Sequence, residues 1–386
     1  MPSSRAILFR LHWALGLTAG LVLAVMGATG ALLSYQEALT DWANGDRLVV
    51  SARETPPLAL SALTKRIEEQ NPGLRVARLT LKDDPSASVA VRFDRDANTK
   101  VRPDSVYADP YDGSVLGPMR GETLFNTVLG LHRFLLIPGD SKGWGRQITG
   151  VCAIALLIFL ASGLVLRWPQ IHRLRIWLRP NLSRPGRARW WSLHAVAGTW
   201  LLPVYLIIAV SGLTWSYDGF KDIVNAALGA AKPAKPMRMV KRADANPEAK
   251  PDLDAVWTAF REGEGRGASR MQILLPEAAR QPVRIRWFSR DDDRPAARNE
   301  AKYEAATGAL ISAERAADQS LGQRAAFNML EVHRGRFFGE GFALLFCLAS
   351  LAMPGFAATG IALYVLRRRA AARRGTRKSL TPVAAE

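Results

Sequence analysis

The sequence predicts a membrane protein: a four-transmembrane-helix bundle made of two parallel repeats, with two small α+β modules outside the membrane. Three observations predict it. Four runs, residues 11–36, 147–166, 190–217 and 341–366, contain no Asp, Glu, Lys or Arg. At a rise of about 1.5 Å per residue each is long enough to cross about 30 Å of hydrocarbon. The basic residues gather beside these runs, and the same order of segments occurs twice.

Charge placement excludes the soluble readings. The 386 residues carry 52 Lys plus Arg against 34 Asp plus Glu, a formal charge of +18, which in a soluble chain points to nucleic acid. Here residues 1–10 hold Arg5 and Arg10 and no acid, residues 167–189 hold seven Arg and no acid, and residues 367–386 hold seven basic residues against Glu386. Basic residues in short flanks of apolar runs mark the cytoplasmic side. The reading therefore has a lipid bilayer and no nucleic acid as partner. It places both termini and residues 167–189 in the cytoplasm of a bacterium, the protein in the inner membrane, and the two long remaining stretches in the periplasm. The first run begins like a secretory signal, but its uncharged stretch is longer than a signal core, so it is read as retained. Cys152 and Cys347 lie inside apolar runs and read as packing residues, and the lack of CxxC or CxxCH argues against a zinc ribbon or covalently attached haem.

In order, the segments are a transmembrane helix at 11–36, a periplasmic module at 37–120, an amphipathic histidine segment at 121–146 and a transmembrane helix at 147–166. A cytoplasmic loop at 167–189 leads to the second copy: a helix at 190–217, a module at 218–320, a histidine segment at 321–340, a helix at 341–366, and a tail at 367–386. In the first module LSALTKRIEEQNPG reads as a helix, RVARLTL and SVAVRFD alternate as strands, and VRPDSVYADPYDGSVLG turns at Asp112-Gly113. In the second, DLDAVWTAFREG is the helix, RMQILL and PVRIRWF are strands, and AKYEAATGAL turns at Thr307-Gly308. Tyr107 aligns with Tyr303 and Gly113 with Gly308. Residues 229–251, rich in Ala, Lys and Pro, read as a flexible lead-in. Both copies start in the cytoplasm, so they run parallel about an axis along the membrane normal.

Four of the five histidines fall at equivalent places in this repeat. His12 and His194 open outward-running helices as LHWALG and LHAVAG, and His132 and His333 precede inward-running ones as LHRF and VHRGRF. His12 lies two residues past Arg10 and His194 five past Arg189, a difference in depth of about 4.5 Å at helical rise. His132 shares a helical face with Leu124 and Val128, and His333 with Ala326, Leu330 and Phe337. A single interfacial histidine is commonly just an anchor; four in register suggest paired imidazoles clamping a porphyrin, His12 with His194 and His132 with His333, hence two b-type haems. His172, in the basic loop, has no counterpart and reads as solvated, with replacement of an inner ligand left open. Arg133 and Arg334 follow the outer histidines and suit either propionates or the interface. The frequent helix glycines, Gly16, Gly20, Gly27 and Gly30 among them, allow close approach of a ring or a helix, and Pro203 and Pro354 are candidate kinks. Gly263, Gly265 and Gly267 mimic a dinucleotide fingerprint without its strand-turn-helix context.

The stretches FRLHWALGLTAGLVLAVMGATGALLSYQ, VYADPYDGSVLG, LHRFLL with GWGRQITG, SLHAVAGTW and EVHRGRF, in that order, make the chain resemble bacterial inner-membrane proteins with PepSY-associated transmembrane helices, including ferric-siderophore reductases. The turn YEAATGAL departs from the family's DPYTG-like pattern. The resemblance implies PepSY-like outer modules over a haem-bearing core that reduces the Fe(III) of a periplasmic ferric siderophore to Fe(II). Electrons would run outward from a quinol or a separate donor, since the cytoplasmic loop and tail are too short to fold a flavin or nicotinamide domain. Trp144 and Arg146 are candidates for the siderophore pocket, and no catalytic acid or base is needed. The alternatives are a siderophore or metal permease and a regulatory PepSY-module membrane protein without haem.

Overall fold

The computed structural model of the protein describes residues 3–95, 103–168, 173–230, 251–276 and 281–379, with side chains up to residue 373. His172 and most of the 229–251 lead-in lie outside the described residues. Along the chain run α1 (Ser4–Leu17), α2 (Ala19–Ser34), α3 (Gln36–Ala43), α4 (Leu60–Gln70), β1 (Val76–Lys82), β2 (Val89–Phe93), β3 (Val106–Ala108), β4 (Val115–Pro118), α5 (Glu122–Phe134) and α6 (Trp144–Arg167). Then follow α7 (Leu174–Leu178), α8 (Arg187–Leu213), α9 (Asp218–Ala227), α10 (Leu253–Glu262), β5 (Ala268–Leu274), β6 (Val283–Ser289), β7 (Asn299–Tyr303), β8 (Leu310–Glu314), α11 (Leu321–Phe327), α12 (Met329–His333) and α13 (Glu340–Ser379). They form two compact units. One comprises Met1–Ser34, Thr127–Ile223 and Val332–Glu386; the other comprises Tyr35–Asn126 and Val224–Glu331.

The first unit is helical. Among the described residues α6, α8 and the Glu340–Arg373 part of α13 are long and apolar enough to cross a membrane, and α1 with α2 makes a fourth span if the pair counts as one. The helix expected over 11–36 is bent: α1 and α2 meet at 54°. Thr18 causes it. Its backbone leaves the helical region at φ −111° and ψ −80°, its N–H bonds Leu15 O at 3.2 Å, and its hydroxyl donates to Ala14 O at 3.1 Å. A side chain competing for helical carbonyls between two glycines, Gly16 and Gly20, is a recognised source of kinks.

Small residues bring the spans together. Ala19, Leu23, Cys152, Ala155, Leu156, Val204, Tyr205, Ala209, Phe346, Ala349 and Met353 form one core in the middle of the bundle, and Tyr205 donates across it to Ala349 O at 2.7 Å. Where α2 crosses α13, a Cβ on Gly27 would lie 2.5 Å from Met353 Cβ and 2.6 Å from Ser350 O, so only glycine fits. Gly27→Ala is expected to destabilise the bundle by about 1–3 kcal/mol through overpacking. Gly16→Ala, whose Cβ meets nothing within 4 Å, is the control expected to be neutral or stabilising. Thermal melts of the two variants in one detergent check this, and equal midpoints would refute it.

The second unit contains one eight-stranded antiparallel sheet in the order β4-β3-β2-β1-β5-β6-β7-β8. The sequence reading of two separate modules is refined: their first strands pair at a seam, with Leu79 opposite Ile273. Alternation puts Leu79, Val91, Ile273, Ile285 and Tyr303 on one face, where they share a core with Leu63, Ile67, Val256 and Phe260 of α4 and α10. The halves match in detail. Gly113 and Gly308 both take positive φ, 72° and 70°. Their N–H groups bond Asp109 O and Glu304 O, each at 2.9 Å, so YEAATGAL closes the same turn without the Asp-Pro-Tyr residues. The register shifts in β1 at Val76/Arg78 and in β5 at Ala268/Arg270 also correspond.

Candidate functional site: two histidine pairs in the helical bundle

The bundle brings the four repeat-related histidines together two by two. The rings of His12 on α1 and His194 on α8 lie 6.3 Å apart between centroids, at 72° to each other. Those of His132 on α5 and His333 on α12 lie 6.4 Å apart at 68°. Three of the rings also meet an aromatic edge: His12 on Phe159 at 5.2 Å, His194 on Phe356 at 5.1 Å and His333 on Trp215 at 5.4 Å.

A spanning helix receives each imidazole with a hydroxyl-glycine dipeptide, a feature the sequence reading missed. His12 Nδ1 lies 2.8 Å from Ser162 Oγ, His194 Nδ1 2.8 Å from Thr359 Oγ1, His132 Nδ1 3.1 Å from Thr29 Oγ1 and His333 Nδ1 2.9 Å from Ser211 Oγ. The next residues are Gly163, Gly360, Gly30 and Gly212. The signal was present in the sequence as ASG, ATG, ATG and VSG near the ends of apolar runs, but Ser and Thr are too common there to stand out without the partner.

Around His12 and His194 opens a cavity of about 570 Å³. Phe9, Trp13, Phe159, Phe356 and Tyr364 give it apolar walls, and Arg5, Arg167, Arg187 and Arg367 stand among its lining. Leu23, Leu156, Tyr205 and Met353 line it too, and these belong to the packed core of the bundle. The His132–His333 pair is the more tightly enclosed. Desolvation pushes His132 down to about 4, helped by the charges of Arg133, Arg334 and Arg146, and His333 down to about 3, so both are neutral at ordinary pH.

The remaining candidates separate. Arg146 is buried with its guanidinium 5.6 Å from the Phe134 ring centre, and Arg133 stacks on the same ring at 5.0 Å. Trp144 is 78% exposed, a placement that suits an interfacial tryptophan. Cys152 and Cys347 are free thiols.

Among the described residues no group of three or more His, Cys, Asp or Glu comes together that could hold a metal ion. Each locus offers two imidazoles with hydroxyl or carbonyl partners. On this finding the expectation of two b-type haems, with His12, His194, His132 and His333 as iron ligands, is corrected. The haem-dependent ferric-siderophore reductase, its outward electron transfer and its quinol or other donor go with it. Purified protein is accordingly expected to lack a Soret band, oxidised or dithionite-reduced; a Soret band joined by a sharp α band on reduction would reverse the correction.

No curated protein matches the chain. A family description fits the bundle, its paired helices and the long segments between them: the model of the PepSY-associated TM region matches residues 9–367, and the chain belongs to that family.

Proposed function

We propose that the protein is a membrane-anchored regulatory protein without haem, in which the bundle retains a small amphipathic acid and the sheet unit engages a polypeptide partner. The observation that carries the reading is the inner cavity. It has an apolar body, four arginines and, in its lining, packed core residues of the bundle. A pocket of this size suits a small molecule, arginines suit its carboxylate, and core residues packed against one another favour holding a guest over passing it on. That packing, together with helices free of acidic lining, weighs against the permease reading.

In this reading His12 and His194 bind the guest of the inner cavity, and His132 and His333 form a second, smaller binding site. The basic flanks orient the protein in a bacterial inner membrane with both termini cytoplasmic, which puts the arginines of the cavity on the cytoplasmic side. The sheet ends at β4 and β8. Leu310 and Ile311 of β8 are 49% and 46% exposed, an edge suited to adding a partner's strand.

Photo-crosslinking tests the reading. A diazirine-bearing fatty acid in proteoliposomes is expected to label Phe9, Trp13 or Tyr364, and to be displaced by excess unlabelled fatty acid. Labelling confined to outward-facing residues of the spans would overturn it.

A further inference from the structure

The hydroxyls beside the histidines settle where each imidazole carries its proton. A hydroxyl has one proton to give, and all four give it to their own helix. Ser162 Oγ donates to Ile158 O at 2.6 Å, Thr359 Oγ1 to Gly355 O at 2.8 Å, Thr29 Oγ1 to Val25 O at 2.7 Å and Ser211 Oγ to Ile207 O at 2.5 Å. Towards the imidazole each oxygen is then left only with electron pairs, so the neighbouring Nδ1 must donate. His132 shows it independently: its Nδ1 also lies 2.9 Å from Met26 O, a carbonyl that can only accept. At two of the four the following glycine eases the approach: a Cβ would stand 3.1 Å from His132 Cε1 at Gly30 and 3.3 Å from His333 Cε1 at Gly212, whereas at Gly163 and Gly360 it would make ordinary contact with His12 and His194, at 3.6 Å and 4.0 Å.

We infer that Thr29, Ser162, Ser211 and Thr359 are positioning residues that fix all four histidines as the Nδ1–H tautomer, leaving the Nε2 electron pair of each to the guest of its pair. Back-bonding of Ser and Thr to a helical carbonyl is common by itself. Its recurrence against four repeat-related imidazoles, each time followed by glycine, is not explained by helix chemistry alone, whereas fixing the tautomer of a ring from its far nitrogen is an established way to aim the other one. The inference deepens the proposed function and rests on it for the guest. A neutral ring of this tautomer accepts a proton and repels a carboxylate, so in the inner cavity the carboxylate of the guest goes to the arginines and a second group of the guest, an N–H or O–H, goes to an Nε2.

The test is 15N magic-angle-spinning NMR of the full chain in lipid, with histidine labelled in the imidazole. Four of the five imidazoles are expected to show a protonated Nδ1 and an unprotonated Nε2. Thr359→Val, which keeps the shape and removes the hydroxyl, is expected to abolish that signature for one imidazole and leave three, and Thr359→Ser is expected to restore it. Ser211→Ala makes the same test at His333 should Thr359→Val fail to fold. Protonated Nε2 at the four sites of the wild type, or a signature unmoved by Thr359→Val and Ser211→Ala, overturns the inference. The readout is the tautomer and not the ligand, so failure of the crosslinking test would leave these spectra unchanged and the two claims fail separately.

Discussion

Glu300→Ala is expected to lower the unfolding midpoint of the sheet unit by roughly 6–12 °C, the effect of losing about 3 kcal/mol in a unit of this size. Glu300 stands in the middle of the second half-sheet, opposite Arg286 on β6 and Glu314 on β7's other neighbour, β8, and only 5% of it is exposed. Arg284 donates to its Oε1 through Nε at 3.0 Å and Nη2 at 2.7 Å, and Arg286 donates to Oε2 at 2.7 Å. Burial alone would raise the carboxyl pKa, but the hydrogen bonds from Arg286 and Arg284 outweigh it and hold the group below its usual value. Removing the carboxylate leaves two guanidiniums side by side without their acceptor. The figure sits at the low end for a broken buried pair because the Arg284 side chain is 40% exposed and water screens it. The sign with pH follows from linkage. A carboxyl depressed in the folded state adds stability above its unfolded pKa of about 4.5, and that contribution is lost as pH falls through the folded value. Wild type and variant should therefore converge in acid. Melts differing by less than about 2 °C at pH 7 would contradict the account.

Replacing His12 and His194 together by alanine is expected to weaken binding to the bundle of an amphipathic acid that also carries a hydroxyl about 10-fold. One hydrogen bond of about 1–1.5 kcal/mol, from that hydroxyl to an Nε2, amounts to that factor. The fold should survive, because the residues that pack the bundle centre, such as Leu156, Tyr205 and Met353, are a different set from the imidazoles that border the cavity. Competition between a spin-labelled fatty acid and an unlabelled hydroxy fatty acid in nanodiscs checks the affinity, and a melt checks the fold. A change of less than threefold with an intact fold would remove the pair from the site.

Much of this was readable in the chain because it is written in local pattern. Uncharged runs gave the spans, alternation in RVARLTL and SVAVRFD gave strands, and Gly113 and Gly308 marked turns that need positive φ. The repeat placed the histidines, since equivalence under a repeat constrains depth without any tertiary information. Three things were not readable. The break at Thr18 depends on a single hydroxyl choosing carbonyls within an apolar run, which periodicity does not register. The β1–β5 seam joins strands whose alternation looks the same whether they lie at an edge or in the middle of a sheet. The hydroxyl-glycine receivers become a pattern only once an imidazole is seen against each one. The haem reading failed for a different reason: the pairing of residue types was taken as the chemistry, when the residues gathered at each locus decide what can be held there.

Native mass spectrometry of the protein, released intact from detergent after purification from its membrane, tests the central claim most directly. The account predicts the chain together with a small organic acid, free of iron, that is absent from the His12→Ala, His194→Ala double variant prepared in the same way. A wild type that flies as the bare chain, or a bound species that the double variant keeps, would contradict it.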